Sequence, residues 1–368
     1  MIRIEYVPRS GLLALSLVNF LLGLVTFTIY RFWAKTNVRK HVWSCVHING
    51  HPLEYTGRGM ELFKGALIVF LVFGLPAAIA ISAVSVALGP EHPAIGGIQV
   101  LLFLIVSLLW GAAIYRAKRY QLSRTLWRGI RGTLAGSAMT YSLTYFGALL
   151  ARVVTFGWST PAMNLNLQQM MIGDMRFGDQ AFRFKGRAGP LYPSYALCWC
   201  LTLAALVAAV ILTVAMFTAV FGADFDQFIV DLFAGGDTLT DTQSARIGYL
   251  IVVAVIGLVL LGAVYSFLWS IYVARELRLF ADYTGFDKAR FRYNATAGSL
   301  IWLAIGNLLI WVLTLGIGQP YVVQRLIRYL CDRLTVDGTI DIDSIRQSMA
   351  PLDTMGEGLA DAFDVGGI

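Results

Sequence analysis

The segment 64–88 reads KGALIVFLVFGLPAAIAISAVSVAL, and its single charged residue, Lys64, stands at the first position. A helix needs about 20 apolar residues to cross the roughly 30 Å of hydrocarbon in a bilayer. This run is long enough to do so, and the core of a soluble domain does not require such a run. The segment therefore predicts a membrane-spanning helix.

The composition of the whole chain agrees with that prediction. Of 368 residues, 57% are hydrophobic and 14% are charged, whereas soluble domains have about 45–50% apolar and 25% charged residues. The net charge is +7, but the basic residues lie beside apolar runs, where cytoplasmic loops and anionic headgroups explain them. We therefore predict a membrane protein with lipids as partners and without nucleic acid; the sequence names no protein partner and no oligomeric state.

Seven apolar segments occur along the chain, and the charges between them divide the connecting loops into two kinds. The loops 89–97 and 222–245 contain no Lys or Arg, so the positive-inside rule predicts that both are periplasmic. The other linkers are basic and are predicted to be cytoplasmic. The seven segments are 10–30, 64–88, 97–115, 138–157, 194–221, 246–273 and 299–318.

This assignment gives two transmembrane hairpins, formed by the second and third segments and by the fifth and sixth. The other three segments, 10–30, 138–157 and 299–318, have basic residues on both sides. A helix that crosses once cannot begin and end on the same face of the membrane. These three segments are therefore expected either to re-enter from one face or to override the charge rule.

The same three segments share a pattern that indicates an internal repeat. The stretches VTFTIYRF at 25–32, VTFGWSTP at 154–161 and LTLGIGQP at 313–320 align without gaps, and each leads into an amphipathic stretch. A hairpin turn is then predicted at Asn49-Gly50, Gly178-Asp179 and Asp337-Gly338. Asn-Gly and Asp-Gly supply the positive φ of a type I′ turn, but the second unit has neither pair.

The predicted fold is an α-helical polytopic membrane protein with small cytoplasmic β-hairpins. Its repeated unit contains a strand, a membrane helix, a Thr-Gly break, an amphipathic helix and a β-hairpin, and two transmembrane hairpins join three such units. The residues after 340 are rich in acidic side chains and glycine, which predicts a disordered cytoplasmic tail. The predicted boundaries are 1–63, 116–190 and 274–340 for the units, 64–115 and 191–273 for the hairpins, and 341–368 for the tail.

Several motifs resemble the YjgN family of bacterial inner-membrane proteins. They are LVTFTIY at 24–30, NGHPLEY at 49–55 and TLWRGIR at 125–131. The resemblance extends over nearly the whole chain and implies a multi-pass protein of the bacterial inner membrane. It implies no activity, because that family is defined by a domain of unknown function. One departure is Phe32, which stands where the second and third units have proline.

Polar residues inside the three repeated segments are candidates for a polar cavity. Asn19 and Asn307 lie near the middle of their segments, where a buried amide needs a partner, either in a cavity or in a neighbouring helix. Arg152 is a functional candidate because ionisable residues inside membranes are rare, although its side chain can also extend to the headgroups. The predicted cavity residues are Asn19, Thr26, Arg152, Thr155, Asn307 and Thr314.

A basic and aromatic cluster follows the third apolar segment. Such a cluster suits contacts with anionic lipid headgroups at the cytoplasmic interface, or it serves only as a topology signal. Its members are Arg116, Lys118, Arg119, Arg124, Trp127, Arg128 and Arg131.

The sequence gives no sign of catalysis or metal binding. His47 and His51 flank a two-residue turn and offer two ligands, whereas zinc requires three or four from the protein. The motifs GxSxG and HExxH and the phosphate-binding loops are absent from the sequence. We therefore predict no catalytic residue, no metal, no cofactor and no enzymatic activity.

Two functions remain open. Repeated units with breaks inside apolar segments resemble the broken helices of transporters, which favours a transporter or channel for a small solute or lipid. The alternative is a non-transporting scaffold or anionic-lipid-binding protein with a cytoplasmic platform. A cavity that reaches the membrane interior favours the first function.

Overall fold

The computed structural model describes residues 2–89, 91–222 and 241–348. Contacts between residues divide the chain into two compact units. The first unit comprises Met1–Ala188, Leu277–Asn294 and Leu303–Ile368, and the second comprises Gly189–Glu276 and Ala295–Trp302.

Helices make up most of the described chain. A π-helical turn at Phe70–Gly74 joins the third and fourth of them into one continuous helix. The helices are α1 (Leu12–Val25), α2 (Arg31–Trp43), α3 (Gly59–Val69), α4 (Leu75–Leu88), α5 (Pro93–Arg124), α6 (Ala138–Val154), α7 (Thr160–Gly173), α8 (Tyr192–Phe221), α9 (Asp241–Tyr283), α10 (Ala297–Leu313) and α11 (Gln319–Arg333).

Four helices in the described ranges are long and apolar enough to cross a membrane. They are Gly59–Leu88, Pro93–Arg124, Gly189–Ala219 and Ile251–Tyr283. At most 17% of the most apolar window of any of them is buried within the chain, so their surfaces are available to lipid. These helices coincide with the four segments predicted to cross, while residues 223–240 of the second predicted periplasmic loop lie outside the described residues.

The other three apolar segments form shorter helices that stop at the predicted breaks. The helices α1, α6 and α10 contain 14, 17 and 17 residues, which corresponds to roughly 21–26 Å at 1.5 Å per residue. Each is followed by a residue in the left-handed region, and the next helix begins within a few residues. These residues are Phe27, Phe156 and Leu315, with φ of 48°, 48° and 49°.

Ten short strands of the described chain form one antiparallel sheet in the first unit. Each strand pairs with its neighbour in sequence order, and a bridge between Ile2 and Val336 closes the sheet on itself. The small hairpins predicted from the sequence are therefore parts of one closed sheet. Its strands are β1 (Ile4–Tyr6), β2 (Val46–Ile48), β3 (His51–Tyr55), β4 (Thr125–Trp127), β5 (Ile130–Leu134), β6 (Met175–Phe177), β7 (Gln180–Phe184), β8 (Thr284–Phe286), β9 (Ala289–Tyr293) and β10 (Leu334–Asp337).

Two-residue turns connect β2 to β3, β4 to β5, β6 to β7 and β8 to β9. The turn at Asn49-Gly50 has φ of 50° and 80°, as the prediction of a type I′ turn requires. The turn predicted at Gly178-Asp179 is also confirmed. The hairpin predicted at 336–339 is wrong, because β10 pairs with β9 on one side and with Ile2 on the other, so no edge is left for another strand.

The described part of the predicted tail, residues 341–348, runs along the turns of the sheet. The Arg346 N–H donates to Asp179 Oδ1 (3.1 Å), and the Asp179 N–H donates to the Arg346 carbonyl (3.0 Å). Gln347 Nε2 donates to the Gly129 carbonyl at 2.8 Å. Ile345, between these contacts, is 6% exposed. Residues 349–368 lie outside the described residues.

In the second unit, polar contacts join the helices α8 and α9, which are otherwise mostly apolar. Cys198 Sγ donates to the Leu268 carbonyl at 3.1 Å, and Trp269 Nε1 donates to Thr202 Oγ1 at 3.2 Å. The Tyr195 ring packs edge-on against Trp269, with 5.4 Å between centroids. These contacts satisfy polar groups that would be costly to leave unpaired in an apolar surrounding.

Candidate functional site

A cavity of about 460 Å³ lies among α1, α2 and the start of α11 in the first unit. Its size falls within the range of roughly 300–1,000 Å³ that is usual for ligand pockets. Val38 and Val42 of α2 pack against Val323 of α11 beside it. Pro320, in the first turn of α11 where proline costs no hydrogen bond, also lines the cavity.

Three basic residues of α2 line this cavity: Arg31, Lys35 and Arg39. Their spacing of four residues places them on one face of the helix, where each adjacent pair of like charges destabilises by roughly 0.2–0.5 kcal/mol. No Asp or Glu occurs among the described residues that line the cavity. The site is therefore electrostatically suited to an anion.

Arg39 is held in place by the sheet. Its side chain is among the largest fully buried ones, and the residue is only 2% exposed. Its Nη1 donates to the Tyr55 hydroxyl at 3.3 Å, and its guanidinium carbon lies 5.9 Å from the centroid of the Tyr55 ring. Because Tyr55 ends strand β3, the closed sheet fixes the orientation of a charge that lines the cavity.

Asn19 lies in the middle of α1 and also lines the cavity. The residue is 9% exposed, and neither its amide oxygen nor its amide nitrogen has a hydrogen-bond partner in the described part of the chain. Leaving such a buried group unpaired costs about 1–3 kcal/mol. A ligand or water in the cavity that bonds to Asn19 removes this cost.

The three predicted threonines hold the helix breaks together. Thr155 Oγ1 donates to the Ala151 carbonyl (2.7 Å) and accepts from the Ser159 N–H (3.1 Å). Thr26 and Thr314 make the same two bonds to the residues four before and four after them, at 2.6–3.0 Å. Their hydroxyls therefore serve the backbone of the breaks.

Arg152 and Asn307 lie elsewhere than this cavity. Arg152 Nη2 donates to Asn164 Oδ1 at 2.6 Å, which links α6 to α7. Asn307 Oδ1 is buried without a hydrogen-bond partner in the described residues. The Arg325 guanidinium packs against the neighbouring Gly306, where an added Cβ would lie 2.3 Å from the guanidinium nitrogens. Of the six predicted cavity residues, the structure places Asn19 in the cavity.

The predicted headgroup cluster is spread over different surroundings. Arg124 is buried and forms an ion pair with Glu61 at 2.8 Å, and the Tyr120 hydroxyl donates to the other oxygen of Glu61 at 2.6 Å. Arg116, Lys118 and Arg128 are exposed. Arg119 donates to the Gly136 carbonyl, and Arg131 donates to the Ser348 carbonyl at 2.9 Å. Trp127 is buried and packs against Phe177.

Sequence reasoning missed the basic face of α2 as a candidate binding surface. Arg31 and Lys35 belong to a basic linker, which predicts only a cytoplasmic loop, and the four-residue spacing of Arg31, Lys35 and Arg39 is the signal that could have identified this face. As to metals, no group of three or more His, Cys, Asp or Glu residues in the described ranges is placed to hold an ion.

Comparison with known proteins identifies the family. A family model described as "Bacterial protein of unknown function (DUF898)" matches residues 9–362. The chain is 21% identical to "Inner membrane protein YjgN" of Salmonella typhimurium, in an alignment that covers 92% of this chain and 89% of that protein. No solved structure matches the chain. Because the family model spans nearly the whole chain and the relative agrees with the resemblance seen in the motifs, this chain belongs to the DUF898 family of bacterial proteins of unknown function.

Proposed function

We propose that this chain is a multi-pass inner-membrane protein that binds an anionic ligand in the cavity of α1, α2 and α11 and moves it between the cytoplasmic face and the bilayer. The observation that carries the proposal is the meeting of three cations with an unpartnered Asn19 in one cavity. The four long apolar helices and the name of the relative support the location. The proposed role is not enzymatic.

The ligand has both a charged and an apolar part. The cations occupy the α2 side of the cavity, whereas Phe20 and Leu24 of α1 supply apolar surface. Lys and Arg next to apolar surface are suited to the anionic headgroups of lipids. An anionic lipid is therefore the first candidate, and a small anionic solute is the second.

We propose that α1, α6 and α10 enter the membrane from the cytoplasmic face and return to it. Their lengths are short for a full crossing, and the residues at their breaks are strongly apolar and exposed. Phe27, Phe156 and Leu315 are 89%, 84% and 89% exposed. A left-handed backbone costs such residues about 1–2 kcal/mol, and burial of their side chains in lipid offsets this cost. In this arrangement the C-terminal tail is cytoplasmic and three repeated units share one plan.

The test is lipid movement by the full-length chain in liposomes. Fluorescent phosphatidylglycerol and, as a control without net charge, fluorescent phosphatidylcholine are followed by chemical bleaching from outside. We expect faster movement of phosphatidylglycerol, reduced about tenfold by Lys35→Gln through loss of a charge-assisted contact. Lys40→Gln is the matched control, because Lys40 is exposed on the same helix and does not line the cavity.

A parallel measurement separates the two ligand sources. Liposomes loaded with inorganic phosphate report movement of a small anion, again compared between Lys35→Gln and Lys40→Gln. Mass spectrometry of the intact protein compares the phosphatidylglycerol bound to the wild type with that bound to Lys35→Gln. If neither probe moves and the two proteins bind the same amount, the proposal is wrong.

The alternative is a non-transporting, anionic-lipid-binding scaffold. The closed sheet of ten described strands favours it, because such a sheet provides a rigid platform outside the apolar helices. Bound phosphatidylglycerol that depends on Lys35, without movement of either probe, is the result that selects this alternative.

A further inference from the structure

The interior of the closed sheet contains a second cavity, separate from the one described above. Its volume is about 230 Å³, and each of the ten described strands contributes at least one residue to its lining. Successive side chains of a strand point to opposite faces, so one face of every strand turns inward. Most of the lining residues are apolar, as Ile4, Ile48, Leu53 and Val336 illustrate. The lining also includes Thr125 and the exposed Arg176.

Aromatic rings form a continuous band along one side of this lumen. Trp127 packs against Phe177, and Phe177 against Phe286, with centroids 5.8 and 6.3 Å apart. Phe182 lies 4.5 Å from Phe286 and 6.2 Å from Phe291. Rings from five strands thus border one space. Aromatic side chains provide large, stiff apolar surface for a ligand.

The lumen is suited to an apolar molecule rather than to water. A water molecule needs two to four polar partners, and an engineered cavity of about 150 Å³ lined by Leu, Ile and Phe stays dry and binds benzene. The cavity here is larger and has the same kind of lining. Its volume therefore admits a short hydrocarbon chain.

One buried polar group of this lining has no hydrogen-bond partner in the described residues. Trp127 is 8% exposed and lines the lumen, yet its Nε1–H has no hydrogen-bond acceptor in the described residues. Buried indole N–H groups usually have a partner. A ligand with one acceptor oxygen and otherwise apolar surface would supply the missing partner.

We propose that the lumen of the closed sheet binds a neutral acyl chain, with the carbonyl oxygen of its ester accepting a hydrogen bond from Trp127 Nε1. The chain lies against the aromatic band and the aliphatic side chains. This site differs in chemistry from the cavity of α1, α2 and α11, which is basic. Its occupancy does not depend on the proposed movement of an anionic ligand.

The test uses the full-length chain in lipid nanodiscs and a methyl decanoate that carries a photoreactive diazirine. After illumination, peptide mapping locates the labelled residues. We expect label on the strands that line the lumen, especially near Met175 and Phe182, and we expect unlabelled methyl decanoate to compete with it.

Two variants make the test specific. Val336→Phe fills the lumen, whereas Thr335→Phe adds the same ring at the neighbouring position, which faces the other side of β10. We expect Val336→Phe to reduce labelling of the lumen about tenfold and Thr335→Phe to leave it near the wild-type level. If Val336→Phe does not assemble, Leu53→Phe fills the same space from β3.

Trp127→Phe tests the hydrogen bond, because it removes the indole N–H and keeps a smaller aromatic ring at the same position. We expect about fivefold weaker competition by methyl decanoate and no change for decane, which has no acceptor. Label confined to the membrane-facing helices, or equal lumen labelling in wild type and Val336→Phe, overturns the proposed site. Equal weakening for the ester and for decane overturns the role of Trp127 Nε1.

Discussion

The basic face of α2 shows why sequence analysis can miss a candidate binding site although the sequence contains all of its residues. Arg31, Lys35 and Arg39 stand at regular spacing in the sequence. Their charges are those expected of a cytoplasmic flank, so position alone does not distinguish topology from binding. The distinction requires α11, more than 280 residues away in the chain, whose Pro320 closes the cavity on the other side.

Removal of one cation should stabilise the protein while it weakens binding. In the absence of ligand, Lys35→Gln relieves repulsion with Arg31 and Arg39, so we expect a melting temperature roughly 1–2 °C higher at low salt. The difference should shrink at high salt, because salt screens surface charges. A lower melting temperature for Lys35→Gln than for Lys40→Gln at low salt would contradict the repulsion.

His41 should make the stability of the protein sensitive to mild acid. Burial, reinforced by the nearby positive charge of Arg9, lowers the pKa of the His41 imidazole below its usual 6.5. The unfolded chain then binds more protons than the folded chain below about pH 6.5, so stability is complete above that pH and is lost as the pH falls through the folded pKa.

The measurement is the melting temperature between pH 7.5 and 5. We expect the decline on acidification to be shallower in His41→Gln than in the wild type. His51→Gln, which alters an exposed histidine of β3, is the matched control and should retain the wild-type decline. Equal slopes for His41→Gln and the wild type would refute the prediction.

At the scale of elements, the helix breaks were predictable and the closed sheet was not. The gapless alignment around Thr26, Thr155 and Thr314 relies on local hydrogen bonds between residues four apart, which a sequence pattern records. The strands have three to five residues, too few for a clear alternating pattern. Their pairing also joins distant residues, such as Leu53 of β3 with Trp127 of β4.

Loss of a threonine hydroxyl at a break should be more costly than the same loss within a helix. Thr155→Val removes a donor and an acceptor that serve the backbone, and we expect it to destabilise the protein by about 1–2 kcal/mol. Thr144→Val in the same helix removes a single bond to the Thr140 carbonyl and should have a smaller effect. Thermal unfolding in one detergent compares the two, and equal effects would contradict the proposed role of the break.

A second test at this scale concerns the segment that crosses the turns. At Gly178 an added Cβ would lie 2.2 Å from the Arg346 carbonyl, whereas at Gly129 nothing lies within 4 Å. Both glycines have positive φ, 61° and 77°, so Gly178→Ala and Gly129→Ala share the backbone strain. We expect Gly178→Ala alone to displace residues 344–348.

Trypsin cleavage after Arg346 measures this displacement. The rate should rise in Gly178→Ala and remain close to that of the wild type in Gly129→Ala. If both variants are cleaved equally fast, the contact between Gly178 and Arg346 does not hold the segment in place.

For the whole molecule, charge and hydropathy predicted the large features. The helices Gly59–Leu88 and Pro93–Arg124 match the first predicted hairpin, because a run of apolar residues this long has few alternatives to crossing a membrane. The closed sheet could not be predicted from the sequence, since nothing in the sequence shows that Ile2 lies beside Val336. The same limit applies to the cavity among α1, α2 and α11, whose lining residues lie far apart in the chain.

Because Ile2 pairs with Val336, every strand of the ring has a neighbour on both sides. Neighbours in the ring are neighbours in sequence, and the first and last strands are neighbours in space. A circular permutant that opens at the exposed turn 128–129, with a flexible linker joining the original ends, should therefore assemble the same ring and melt as one unit. In such a protein the present first strand becomes an interior one in the chain order, and the order of the strands in the ring is unchanged.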